Sequence, residues 1–169
     1  MLNKECLETY TPVLTLIARQ LETHPEWSLE MLEAANRQLQ AAKYRELRDR
    51  AKSDAEAVSH AQQVVSYRAH DPEEFFNLAL LQAKQENLNE ALQSLNEAIR
   101  LEPEKTEYFQ FKAMLLETSK RFEEAYQAIH HALTLNPEAP HLLKDQNRIA
   151  GELINHLKNE IGKLTGDAK

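Results

Sequence analysis

Residues 72–105 read PEEFFNLALLQAKQENLNEALQSLNEAIRLEPEK, and residues 106–139 read TEYFQFKAMLLETSKRFEEAYQAIHHALTLNPEA. Set one above the other with a period of 34 and no gap, they bring Phe75 over Phe109, Ala79 over Ala113, Leu88 over Phe122, Ala91 over Ala125 and Leu95 over Ile129. The register continues with Ala98 over Ala132, Ile99 over Leu133, Leu101 over Leu135 and Pro103 over Pro137. Self-similarity at a fixed period marks a supersecondary unit that buries its apolar face only by stacking on its neighbours. The residue types fit two antiparallel helices per unit. Small residues stand where helix axes approach closely, and Leu78, Leu88, Leu95, Phe109, Phe122 and Ile129 fill the spaces between. Pro103 and Pro137 stop the second helix of each unit, because proline lacks an amide donor and clashes with the preceding turn.

These residues resemble the tetratricopeptide repeat, a helix-turn-helix unit marked by large, Leu, small and large residues, then by Ala, large, Ala and Pro. The first unit carries the pattern at Phe75, Leu78, Ala79, Leu88, Ala91, Leu95, Ala98 and Pro103. In the second, Lys112 replaces the leucine, which puts the packing of that unit's first helix in question. The resemblance implies an all-α, right-handed solenoid of stacked helical hairpins and a protein-binding habit, without naming a partner. Family members often place glycine at the close helix contact and at the turn. This chain has Ala79 and Ala113 at the first place and Glu86 and Lys120 at the second, and its three glycines all follow residue 150.

Outward from the repeats, Pro140 opens a stretch in register with a third unit, but Leu142, Leu143, Ile149, Ala150, Leu153, Ile154, Leu157, Ile161 and Leu164 run on at helical spacing without a turn. The expectation for 140–169 is a long capping helix and tail. Ser53 followed by Glu56 is a capping-box pattern, so 53–71 reads as a connecting helix ending near Ala69, and 41–69 as a candidate degenerate repeat. Asp71-Pro72-Glu73-Glu74 starts the next helix with an acceptor side chain, a first-turn proline and two acids at the positive helix end. Residues 1–52 read as a helical hairpin that either caps the array from its N-terminal side or forms a small separate unit with its own partner. Leu7, Tyr10, Leu14, Ile17 and Leu21 form one stripe, Met31, Leu32, Ala35, Leu39 and Ala42 the other, and His24-Pro25 breaks between them. The order Leu14, Ile17, Leu21, Pro25, Trp27, then Gln38-Leu39-Gln40 also resembles small helical immunity proteins that block NAD-hydrolysing toxins delivered between competing bacteria.

A formal charge of −7 over 169 residues argues against nucleic acid as a partner, since neutralising phosphate needs surplus Lys and Arg. Charge is nonetheless uneven: Arg37, Lys43, Arg45, Arg48, Arg50 and Lys52 face only Glu46 and Asp49 in their own stretch. That basic segment, with Trp27 and Tyr44, is a second candidate partner surface. No run approaches the roughly 18 apolar residues of a membrane span. The lone Cys6 forms no internal disulfide, and the first residues lack a signal-peptide core, so a reducing, cytoplasmic setting is expected.

Little points to catalysis. Cys6 has no partner marked in sequence and reads as a structural thiol. His141 with Asp145, and Glu152, His156 and Glu160, have helical metal-ligand spacing but read as a solvated helix face, while adjacent His130 and His131 point about 100° apart. No enzyme, metal or cofactor is expected. The groove is more informative. The resemblance implies that the first helix of each unit lines a concave face, at Glu73, Phe76, Asn77, Leu80 and Lys84, then Glu107, Gln110, Phe111 and Met114. Some relatives grip a peptide's terminal carboxylate there with Lys, Asn and Arg; here only Asn77 matches, and Phe76, Leu80 and Glu107 stand at the other places. Phe76, Leu80, Phe111 and Met114 form an apolar strip suited to an amphipathic helix or an extended apolar segment. The same strip would equally be covered by the N-terminal hairpin or, in a homodimer, by a second copy of the chain. Two functions stand at this point: an interaction module that binds a protein segment in the groove, and an immunity protein that occludes a toxin.

Overall fold

The computed structural model describes Thr15, Arg19 and residues 29–165. Seven helices and no strand occur among them: α1 Leu29–Asp49, α2 Asp54–Tyr67, α3 Pro72–Lys84, α4 Leu88–Leu101, α5 Thr106–Thr118, α6 Phe122–Leu135 and α7 Pro140–Thr165. The chain divides into two compact units, 1–40 and 41–169, a division that falls inside α1. Trp27, Cys6, the first helix of the expected hairpin and most of the immunity-protein resemblance lie outside the described residues.

From α2 onward each helix packs on its neighbours in the chain, so the second unit is a linear stack. The period read in sequence is also the period of the helices. Helices α3, α5 and α7 begin at 72, 106 and 140, and α2, α4 and α6 at 54, 88 and 122. The small positions are where the helices meet: Ala79, Ala91, Ala98, Ala113, Ala125 and Ala132 are fully buried, with Leu95, Leu115, Leu116 and Ile129 between them. Leu142 and Ile149 join the same core and carry α7 onto α6. Lys112 does not disturb α5. Its stem is half-buried and its Nζ donates to Asn96 Oδ1 at 2.8 Å, so the charge reaches the surface past the position where a leucine would sit.

The helix ends follow the sequence closely. Ser53 Oγ accepts from the Glu56 amide at 3.2 Å, and Asp71 Oδ1 from the Glu73 amide at 3.2 Å. The turns after α3 and α5 are twin left-handed caps. The Glu86 amide donates to the Ala83 carbonyl and the Asn87 amide to the Gln82 carbonyl; Lys120 to Glu117 and Arg121 to Leu116 repeat the arrangement. This paired closure requires a positive φ at the residue after the cap, and Glu86 and Lys120 have φ of 63° and 58°. These are the two places where the family often has glycine.

Candidate functional site

The first helices of successive units, α3, α5 and α7, share one face. Phe76 on α3 meets α5 through Tyr108, at a ring centroid distance of 4.9 Å, and through Phe111, edge to face at 5.5 Å. Side-chain bonds join α5 to α7: Gln110 Nε2 donates to Asp145 Oδ2 at 3.3 Å, and Arg148 bonds Glu117. Between these two helices lies a cavity of about 300 Å³, lined by Glu107, Gln110, Phe111, Ala113 and Met114, by Asp145, Arg148 and Ile149, and by Ile129 behind them.

The expected apolar strip is thereby corrected. Phe111 is only 9% exposed and belongs to the core, with Phe76 half-buried against it, so these two rings form a floor rather than a free surface. What stands proud is Leu80, 40% exposed, and Met114, 49% exposed. Glu107 is exposed in the cavity lining, Glu73 is exposed on α3 outside that lining, and Asn77 is half-buried. Lys84 turns aside to Asp54, with Nζ 2.6 Å from Oδ1. Tyr108 is the floor residue the sequence reading missed. It is buried, its hydroxyl donates to Glu102 Oε2 at 3.3 Å, and its pKa is pushed up to about 12, first by burial and then by the negative charge of Glu102. Asp145 and Arg148 were missed as cavity walls too. A signal was present: Pro140 is in register with Pro72 and Thr106, which places Asp145 and Arg148 34 residues after Phe111 and Met114. Hydrogen bonding to Glu117 holds the Arg148 guanidinium above its ordinary pKa, so it is a fixed cation in the wall.

The basic segment fares differently. Arg45 and Arg48 converge on the buried carboxylate of Glu74, Arg48 Nη1 lying 3.0 Å from Oε2, and Arg45 also reaches Asp71 at 3.4 Å. Arg68 bonds Asp71 from the other side at 3.1 Å. A carboxylate in such a dry position needs its partners, so these arginines hold α1 to α3 instead of presenting charge outward. Tyr44 stacks on Tyr67 with centroids 6.0 Å apart, and Lys43 Nζ sits 5.1 Å from the centre of the Tyr44 ring. Arg50 remains at the surface, paired with Glu46 at 3.0 Å. The helical His and carboxylate stripes are likewise engaged: Asp145 with Arg148 and Gln110, His156 against Phe122, Glu160 with Lys163. No cluster of three metal-binding side chains, and no helix long and apolar enough to cross a membrane, occurs among the described residues.

No curated protein sequence matches the chain. Solved structures do. The first tetratricopeptide domain of Spaghetti (RPAP3), bound to the HSP90 peptide SRMEEVD, superposes at a TM-score of 0.60 with 16% identity, over 72% of this chain and 95% of that one. The TPR2B domain of yeast Sti1, in complex with pHsp70, gives 0.55 and 19%, over 72% and 98%. MamA gives 0.58 and 13%, over 89% and 86%. At such identities the likeness concerns the fold. The tetratricopeptide repeat profile itself matches twice, at residues 72–105 and 106–138. With the 34-residue helix period and the buried small positions in place, residues 72–138 of this chain are two tetratricopeptide repeats.

Proposed function

We propose that the chain is a non-enzymatic adaptor that captures a segment of another protein on the α3, α5 and α7 face. One apolar side chain of that segment enters the cavity beside Met114. The observation that carries this reading is the cavity itself: apolar floor from Phe111, Ile129 and Ile149, an exposed thioether at Met114, and acids at the rim. Glu107 lines the cavity and is exposed, while Arg148 is satisfied by Glu117 and Asp145. The field at the mouth is therefore negative, and it favours a segment with Lys or Arg beside its apolar anchor. This separates the chain from its neighbour that holds SRMEEVD, a peptide with three carboxylate side chains. The face carries Glu107 and Leu80 where a carboxylate-gripping face carries cations or amides. Rigid stacked helices pre-organise the surface, so the ordering cost falls mainly on the captured segment. The stretch 41–69 extends the array as a degenerate unit, a reading supported by α2 beginning 34 residues before α4.

Panning a random dodecapeptide library against the full chain tests both anchor and charge. Selected sequences are expected to pair a large apolar residue with Lys or Arg, to lose binding on Met114→Glu, and to change charge preference on Glu107→Lys. Phe111 is unsuited to this test, since a charge there would disrupt the core. Selection of acidic peptides, or binding indifferent to both substitutions, would contradict the proposal.

A further inference from the structure

Helix α7 has a second face. Leu143, Asn147, Ala150, Ile154, Leu157 and Ile161 follow one another in alternating steps of four and three. That is the heptad period of 3.5 residues, which keeps one seam turned toward a partner helix. The residues that join α7 to α6, Leu142 and Ile149, are buried on another face, although Leu157 of the seam borders the first turn of α6. Along the seam Leu143 is 50% exposed, Ile154 52%, Leu157 42% and Ile161 59%.

The repeat register explains why the seam is open. Leu143 and Asn147 correspond to Phe109 and Ala113, and to Phe75 and Ala79 before them, at intervals of 34. On α3 and α5 those positions pack in the core with the returning helices α4 and α6. Helices α3 and α5 end at Lys84 and Thr118, whereas α7 runs on to Thr165. The surface that a returning helix covers in the two repeats is thus lengthened into an exposed stripe.

We propose that this seam pairs with the α7 seam of a second copy of the chain as a parallel two-stranded coiled coil. The residue types commit to that occupant. Ile154 and Ile161 take one core position of the heptad, and Leu143 and Leu157 the other, which is the arrangement that favours two parallel strands. Asn147 stands at an isoleucine-type position, where a single amide meets its own counterpart across a two-fold axis and fixes register and strand number. None of the six seam residues is charged, so two identical copies meet there without like-charge contact, although each chain carries −7 overall. A stripe of 19 residues is roughly 28 Å long and about 10 Å wide. Pairing two of them buries roughly 600 Å², below the range of stable specific interfaces, so the dimer is a weak and reversible one. The seam is separate from the cavity beside Met114, so dimerisation would present two binding faces together.

Sedimentation velocity on the full chain from about 1 to about 100 μM is the first test, with a monomer-to-dimer transition expected in that range. Ile154→Asp with Leu157→Asp should raise the midpoint by about a hundredfold or more and leave helical circular dichroism intact, because both side chains are exposed in the single chain. Orientation is read by disulfide trapping on a Cys6→Ser background. Asn147→Cys and Ile161→Cys, made separately, are both expected to oxidise to covalent dimers, since in a parallel pair each residue faces itself at both ends of the seam. A monomer throughout the range, a dimer insensitive to the paired aspartates, or trapping of only one cysteine variant would overturn the proposal.

Discussion

At the residue scale, the two repeats solve one packing problem in different chemistries. Gln82 and Ser94 are buried between α3 and α4, with Ser94 Oγ donating to Gln82 Oε1 at 2.7 Å. Thirty-four residues on, Leu116 and Ala128 fill the same two places. Removing one partner leaves a buried acceptor unmet, whereas replacing both by the apolar pair removes the problem. Ser94→Ala alone should therefore cost about 1–3 kcal/mol in urea unfolding, and Gln82→Leu with Ser94→Ala should return to within about 1 kcal/mol of the parent. Simple additivity would contradict this. Tyr108 offers a second handle. The unfolded phenol titrates near 10.0 and the folded one only near 12, so between those values the unfolded chain releases a proton that the folded chain keeps. Stability is expected to be full below pH 10 and to fall as pH rises toward 12, and Tyr108→Phe should flatten that fall in thermal unfolding scans. Tyr108 was not legible as a floor residue because hydroxyls are read as surface groups. Glu74 was equally hidden: nothing local to residues 37–52 shows that two of their arginines are claimed by a carboxylate more than twenty residues away.

At the element scale, the sequence was most legible where backbone geometry is cheap to read. Proline stops, the Ser53 and Asp71 caps and the alanine contacts all fall where period and residue type place them. Glycine is the exception, absent where the chain turns left-handed and present inside a helix. Glu86 and Lys120 hold φ of 63° and 58°, at a cost of roughly 1–2 kcal/mol each for a residue with a side chain. Gly151 sits inside α7, and a Cβ added there meets nothing within 4 Å. Glu86→Gly and Lys120→Gly should each stabilise by up to about 1 kcal/mol, after the larger unfolded-state entropy of glycine is deducted. Gly151→Ala should add about 1 kcal/mol through helix propensity alone. All three are read as upward shifts in melting temperature; a decrease for either turn variant would mean that Glu86 or Lys120 makes a contact worth more than its strain.

At the scale of the whole molecule, the 34-residue period set the stack, but the proposed binding face depends on a helix outside the repeats. Asp145, Arg148 and Ile149 of α7 form one wall of the cavity and α5 the other. From sequence those residues read as the outside of a cap, because a long uninterrupted helix suggests an end rather than a further first helix in register. The four apolar residues expected in the groove lie at different depths. Phe111 is buried with Tyr108, Phe76 packs half-buried against both rings, and Leu80 and Met114 remain exposed. We propose that the partner segment lies on this face and not on the outer helices. Titrating a library-selected peptide into isotope-labelled full chain, followed by amide and methyl chemical shifts, tests it most directly. Perturbations are expected to concentrate on Asn77, Leu80, Gln110, Met114 and Arg148, whereas perturbations confined to α2, α4 and α6 would contradict capture on this face.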